Sequence, residues 1–196
     1  MVVWHNETMF KRLFFAIEPS PEKKEELYTL GENLRNDIKR GVKWVEKENL
    51  HITLSFSGKV REDRVGELKK KMEGVGGSPF SVPFHKITYM PPDKKKARMI
   101  WIKGESYDLA ELHRKIEDKI APSFKKREEK EFIPHITLAR IKSWEFRKMP
   151  LASIPEVDEE INLSIPVSSF VLMESKLEKG GPVYEVISKF ELYEGE

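Results

Sequence analysis

The sequence predicts an α+β fold built as two related lobes. Three observations carry this expectation. The string His-Ile-Thr-Leu occurs twice, at residues 51–54 and 135–138. Each copy is preceded by the same order of elements, an apolar strand and then a helix. The spacing repeats as well: Arg98 lies 86 positions after Arg12, and His135 lies 84 after His51. Nearly equal shifts of this length argue for an internal duplication about a pseudo-two-fold axis, not a solenoid of short repeats. A single domain over residues 1–196 is expected, with its lobes at about 12–90 and 98–192.

The first lobe opens with the apolar run Arg12-Leu13-Phe14-Phe15-Ala16-Ile17-Glu18, which reads as a strand. Ser20 then suits an N-cap and Pro21 the first helical position. Leu27, Leu30, Leu34 and Ile38 follow at three- and four-residue steps, the helical period. The second lobe opens with the strand Arg98-Met99-Ile100-Trp101-Ile102-Lys103-Gly104-Glu105. A helix should start near Ser106, carry Leu109, Leu112, Ile116 and Ile120 on one stripe, and end before Pro122. Residues 61–74 read as a further helix. Residues 80–89 read as an edge strand, because Pro83 cannot donate to a ladder. Residues 141–160 read as irregular, and 162–174 and 182–191 as two strands joined at Gly180-Gly181.

Composition bounds the function. The chain has 196 residues, enough for a substantial core. It has no cysteine, which excludes disulfides and thiolate metal sites. No stretch approaches the roughly 18 apolar residues of a membrane span, and the first residues hold no apolar signal core. A soluble, cytoplasmic monomer is the expectation. Charged residues make up 35% of the chain, yet the net charge is only +2, which argues against strong non-specific binding of nucleic acid. Basic clusters at Lys69-Lys70-Lys71, Lys94-Lys95-Lys96-Ala97-Arg98 and Lys125-Lys126-Arg127 fit either solvated surface or attraction for a phosphate backbone.

The repeated string carries the chemistry. In a strand, alternate side chains share a face. His51 and Thr53 therefore share one face, with Ile52 and Leu54 behind them. His135 and Thr137 share theirs, with Ile136 and Leu138 behind. Histidine titrates nearest neutral pH of all side chains, so a pair can hold one base and one acid. Threonine hydroxyls donate to phosphate oxygens without adding charge. Two facing copies form a site for acid–base chemistry on a phosphate. Metal ligation is the rival. A zinc site wants three or four ligands, and neither copy has a carboxylate on its front face. His5, His85 and His113 show no ligand spacing. No metal and no cofactor are expected.

With its two His-x-Thr motifs, one in each half, the chain resembles the 2H phosphoesterase family. It is most similar to the branch of RNA 2′,3′-cyclic phosphodiesterases once named 2′-5′ RNA ligases. The resemblance runs through Arg12-Leu13-Phe14-Phe15-Ala16-Ile17-Glu18, Val42-Lys43-Trp44-Val45, Pro134-His135-Ile136-Thr137-Leu138-Ala139-Arg140 and Phe170-Val171-Leu172-Met173-Glu174-Ser175, and leaves residues 1–10 as an extension. It implies two antiparallel sheets facing across a central cleft, with helices outside. It implies metal-free hydrolysis of a terminal 2′,3′-cyclic phosphate on RNA, including tRNA fragments, to a 2′-phosphate. It implies that His51 donates a proton to the leaving 3′-oxygen and that His135 accepts one from water. Thr53, Thr137 and Arg140 would hold the phosphate oxygens. Strict alternation from His135, however, puts Arg140 on the opposite face, so the strand must end or bulge for Arg140 to reach the site. Phe14 and Phe56 are candidates for stacking on a base, against ordinary core packing. By microscopic reversibility the same site could join a 5′-hydroxyl to the cyclic end without ATP. Two other readings remain open: a nucleotide- or RNA-binding module without catalysis, and an esterase for small cyclic nucleotides or RNA tails.

Overall fold

Strand pairing organises this chain. The computed structural model describes residues 9–121, 123–124 and 131–193. In chain order the elements used below are β1 (Phe10–Ile17), α1 (Pro21–Asp37), β2 (Val42–Trp44), β3 (Ile52–Arg61), α2 (Val65–Lys71), β4 (Phe80–Met90), β5 (Met99–Gly104), α3 (Tyr107–Ile120), β6 (His135–Ile141), α4 (Ser143–Lys148), β7 (Asp158–Val167), β8 (Ser169–Glu178) and β9 (Gly181–Glu191). Among the described residues the strands form one nine-stranded sheet in the order β7-β4-β5-β6-β3-β1-β8-β9, with β2 also paired to β6.

The two expected sheets are the two halves of this one. Every pairing is antiparallel. The halves join at a single pair, Ile52 opposite Ile136. That junction lies between the two His-Ile-Thr-Leu strings, so the pseudo-two-fold passes through it. The spatial halves do not follow the division at 12–90 and 98–192. β4 pairs with β5 and β7 in the half that holds β6. β8 pairs with β1 and β9 in the half that holds β3. Each half thus borrows strands from the other segment.

The structure corrects four local expectations. Residues 162–174 are not one strand: the chain crosses between halves at Ser168, ending β7 and starting β8. Residues 80–89 are not at an edge, because β7 covers them. Pro83 is tolerated there because its carbonyl, on the same side as its nitrogen, accepts from the Glu105 N–H, just past the end of β5. Residues 141–160 are not irregular throughout, since they hold α4 and the start of β7. The predicted helix at 61–74 shortens to a 3₁₀ turn followed by α2.

The main helices behave as their patterns require. The Ser20 hydroxyl accepts from the Lys23 N–H at 3.3 Å and caps α1, with Pro21 in the first turn. Ser106 caps α3 in the same way through the Leu109 N–H at 3.2 Å. Leu27, Leu34 and Ile38 are buried, as are Leu109, Leu112, Ile116 and Ile120, in one core behind the sheet. Gly41 has a φ of +75°, and a Cβ there would lie 2.7 Å from the Phe146 ring, so the turn into β2 needs glycine. No described helix is long and apolar enough to cross a membrane.

Candidate active site

The front face of the sheet carries both histidines. Ile52 and Ile136 are buried behind it, while His51, Thr53, His135 and Thr137 are half-buried in front. One residue's step from the Ile52–Ile136 pair sets His51 across from Thr137 and Thr53 across from His135. The imidazoles are then diagonal neighbours, residues roughly 7–8 Å apart with their Cβ atoms somewhat closer.

Each imidazole is held in the same way. The His51 Nδ1–H donates to the Asn49 carbonyl at 2.7 Å, and the His135 Nδ1–H donates to the Ile133 carbonyl at 2.7 Å. A carbonyl only accepts, so both rings keep the proton on Nδ1 and point Nε2 forward. The Thr53 hydroxyl donates to His51 Nε2 at 3.0 Å. Asn49 also ties this support to the β8–β9 hairpin, since its Nδ2–H donates to the Pro182 carbonyl at 2.9 Å.

Burial dominates the electrostatics. It lowers His51 from 6.5 to about 4, with the Asn49 carbonyl opposing and the charges at His135, Lys24 and Arg140 adding to the depression. His135 is lowered as well, again mainly by burial and against the Ile133 carbonyl. Both rings are therefore neutral near pH 7.

Arg140 reaches the front face through a bulge. In the β5–β6 register Trp101 faces Thr137 and Ile100 faces Ala139, which leaves Leu138 without a partner. The extra residue shifts the alternation. Ala139 and Ile141 are then buried, and Arg140 is exposed in front. The same device follows the first copy. Ala16 faces Thr53 and Phe15 faces Ser55, leaving Leu54 unpaired. Ser55 is buried, and Phe56 comes forward 54% exposed. Phe56 is thus the positional counterpart of Arg140.

The aromatic residues divide differently than expected. Phe14 is only 3% exposed, packed against His51, Phe56 and Tyr184, so it supports the histidine and offers no open face for a base. Phe56 remains available for stacking. Two residues outside the sequence reading belong here. Trp101 stacks on His135, with centroids 3.6 Å apart and planes at 17°. Tyr184 meets His51 edge-on at 5.1 Å. The repeat spacing equates Trp101 with Phe15, which is buried in the main core, so the sequence carries no sign of Trp101 beside His135. Tyr184 had none either, since its hairpin is brought in from the far end of the chain.

Other candidates fall away from the site. Lys94 binds the Ile154 carbonyl at 3.2 Å and the Glu156 carboxylate, and Lys95 binds the Met149 carbonyl, so both fasten a turn. Lys69 donates to the Ile187 carbonyl at 3.3 Å. The cluster at 125–127 lies outside the described residues. A cavity of about 940 Å³ opens beyond Tyr184, beside the first turn of α1, but neither histidine lines it. The described residues hold no cluster of three or more His, Cys, Asp or Glu suited to a metal.

A front face with two anchored imidazoles, two hydroxyls and one guanidinium suits the phosphate chemistry of a phosphoesterase. The LigT-like phosphoesterase model matches residues 17–101 and 103–184, and the chain belongs to that family. It is 32% identical over 182 residues to the RNA 2′,3′-cyclic phosphodiesterase of Methanocaldococcus jannaschii, covering 91% of this chain and 99% of the relative. It is 32% identical over 181 residues to the enzyme of that name from Thermotoga maritima, covering 90% and 92%. The crystal structure of TT0787 of Thermus thermophilus superposes with a TM-score of 0.77 at 27% identity, covering 94% of this chain and all of the other.

Proposed function

We propose that this chain hydrolyses the terminal 2′,3′-cyclic phosphate of RNA to a 2′-phosphate, by acid–base catalysis from His51 and His135. The observation that carries the reading is the matched anchoring of the two rings. Both Nδ1–H groups are committed to carbonyls at 2.7 Å, so both Nε2 atoms face one space across the Ile52–Ile136 pair. The names of the two relatives above favour the same substrate.

The chemistry follows from the protonation states. His135, neutral at rest, takes a proton from water through Nε2 as the water oxygen attacks phosphorus. The bond from phosphorus to the 3′-oxygen breaks, and His51 Nε2–H delivers the proton to that oxygen. His51 must first be protonated. A bound phosphate anion opposes its depressed pKa by placing negative charge beside the ring. Once Nε2 carries a proton it no longer accepts from Thr53, and the Thr53 hydroxyl is free to turn to a phosphate oxygen. Thr137 and Arg140 hold the other side. With a 5′-hydroxyl in place of water as the attacking group, the same steps yield a 2′-5′ linkage without ATP. RNA fragments, cut tRNA among them, are the partners this site suits, and a monomer suffices.

The test is incubation with the four 2′,3′-cyclic nucleotides and with an oligonucleotide bearing that end, the product being read by NMR. A 2′-phosphate is expected. A 3′-phosphate would reverse the leaving group, and no conversion of any substrate would leave only a binding module.

A further inference from the structure

His113 takes no part in the chemistry above, yet it touches the supports of both motifs. It lies on α3, behind the sheet. Its Nδ1–H donates to the Leu54 carbonyl at 2.8 Å. Leu54 is the extra residue of the β3 bulge, with no partner on β1. On β6 the corresponding carbonyl, that of Leu138, accepts from a backbone donor, the Val45 N–H, at 2.9 Å. One bulge is therefore held by the main chain and the other by an imidazole. One turn further along α3, buried Glu117 accepts from the Ser55 hydroxyl, so the helix grips both residues after Thr53.

A face of the His113 ring meets the segment leading into the second motif. It stacks on Phe132, with centroids 4.2 Å apart and planes at 11°. Phe132 immediately precedes Ile133, whose carbonyl holds His135. A single side chain thus braces the segment that follows Thr53 and the segment that orients His135.

From this geometry we infer that His113 is a positioning residue, setting the placement of the His51 strand relative to His135. The inference rests on the catalytic reading of those two histidines. Such misplacement is costly because general acid and base must sit within hydrogen-bond reach of the same phosphate.

Three variants test it. His113→Ala removes both contacts. His113→Asn keeps a donor near the Nδ1 position without the ring, and His113→Phe keeps the ring without the donor. His113→Ala should lower kcat by about tenfold or more, with KM nearly unchanged. His113→Asn and His113→Phe should each fall between Ala and the parent, and they carry the test if the alanine variant does not fold. In parallel, the imidazole Cε1–H signals of His51 and His135 should shift in NMR titrations of the variants. Parental kcat in folded variants, with both histidine signals unmoved, would overturn the inference. If the parent hydrolyses no cyclic substrate, the proposed function fails on its own, and the NMR titrations still decide whether His113 positions the two rings.

Discussion

Arg140 stands on the same face of β6 as His135, although five positions separate them and strict alternation would set them on opposite faces. The unpaired Leu138 supplies the missing step. The guanidinium comes close enough to His51 to add to the lowering of its pKa, and the same closeness suits a bound phosphate.

Arg140→Ala should therefore weaken stabilisation of developing charge on phosphorus. A loss of about 10²–10³ in kcat/KM is expected for removal of one such donor group. Arg140→Lys should recover only part of it, because an ammonium cannot repeat the planar two-donor fork. Steady-state kinetics on a cyclic nucleotide checks both. An alanine variant with parental kcat/KM would return Arg140 to the solvent.

The two histidines should fail together. His51→Ala and His135→Ala should each cost about 10²–10⁴ in kcat while leaving the thermal transition in place. The double variant should be far less impaired than the product of the two losses, because acid and base act as a unit. Additive losses would show that the rings work at separate steps. Excess chelator should leave the parental rate unchanged.

The pH profile follows from the depressed pKa values. In the free protein one ring must be protonated and the other neutral, and burial sets both below the ordinary value of 6.5. That combination is lost as pH rises above the lower range, so kcat/KM should peak on the acid side of neutrality and fall through pH 7. The descending limb of kcat should lie higher, because bound phosphate favours the imidazolium. A shared limb for the two parameters would refute this role for the substrate's charge.

Stability should depend on the same groups. The unfolded chain protonates its histidines near 6.5, whereas folded His51 resists until about 4. The unfolded state thus binds more protons in that window. Stability should be steady above about 6.5 and decline as pH falls toward 4, and His51→Gln should flatten the decline. Urea titrations across the window measure it.

Trp101 lies flat on His135. A ring face favours a cation by about 0.5–2 kcal/mol, so under the proposed mechanism Trp101 would help His135 hold a proton. Trp101→Phe should keep most of the activity, and Trp101→Leu should lower kcat more than it raises KM. Equal kinetics for the two variants would remove the stacking from the mechanism.

Much of this protein is local and could be read along the chain. The caps at Ser20 and Ser106, the buried stripes of α1 and α3, and the paired His-x-Thr strands all follow from short-range periodicity and capping, which depend on residues a few positions apart. The duplication was legible too, since repetition needs no coordinates. The exchange of β4 and of the β8–β9 hairpin between halves was not, because antiparallel strands of either half present the same alternation and only packing decides which edge each one joins. The bulges at Leu54 and Leu138 were equally hidden. A bulge is a mismatch between two strands, and a single strand carries no record of its partner's register. Those mismatches bring Arg140 and Phe56 forward, and the exchanged hairpin brings Tyr184 to His51. The paired histidines and threonines are therefore written in sequence, while the set of neighbours that tunes them exists only once the sheet has closed.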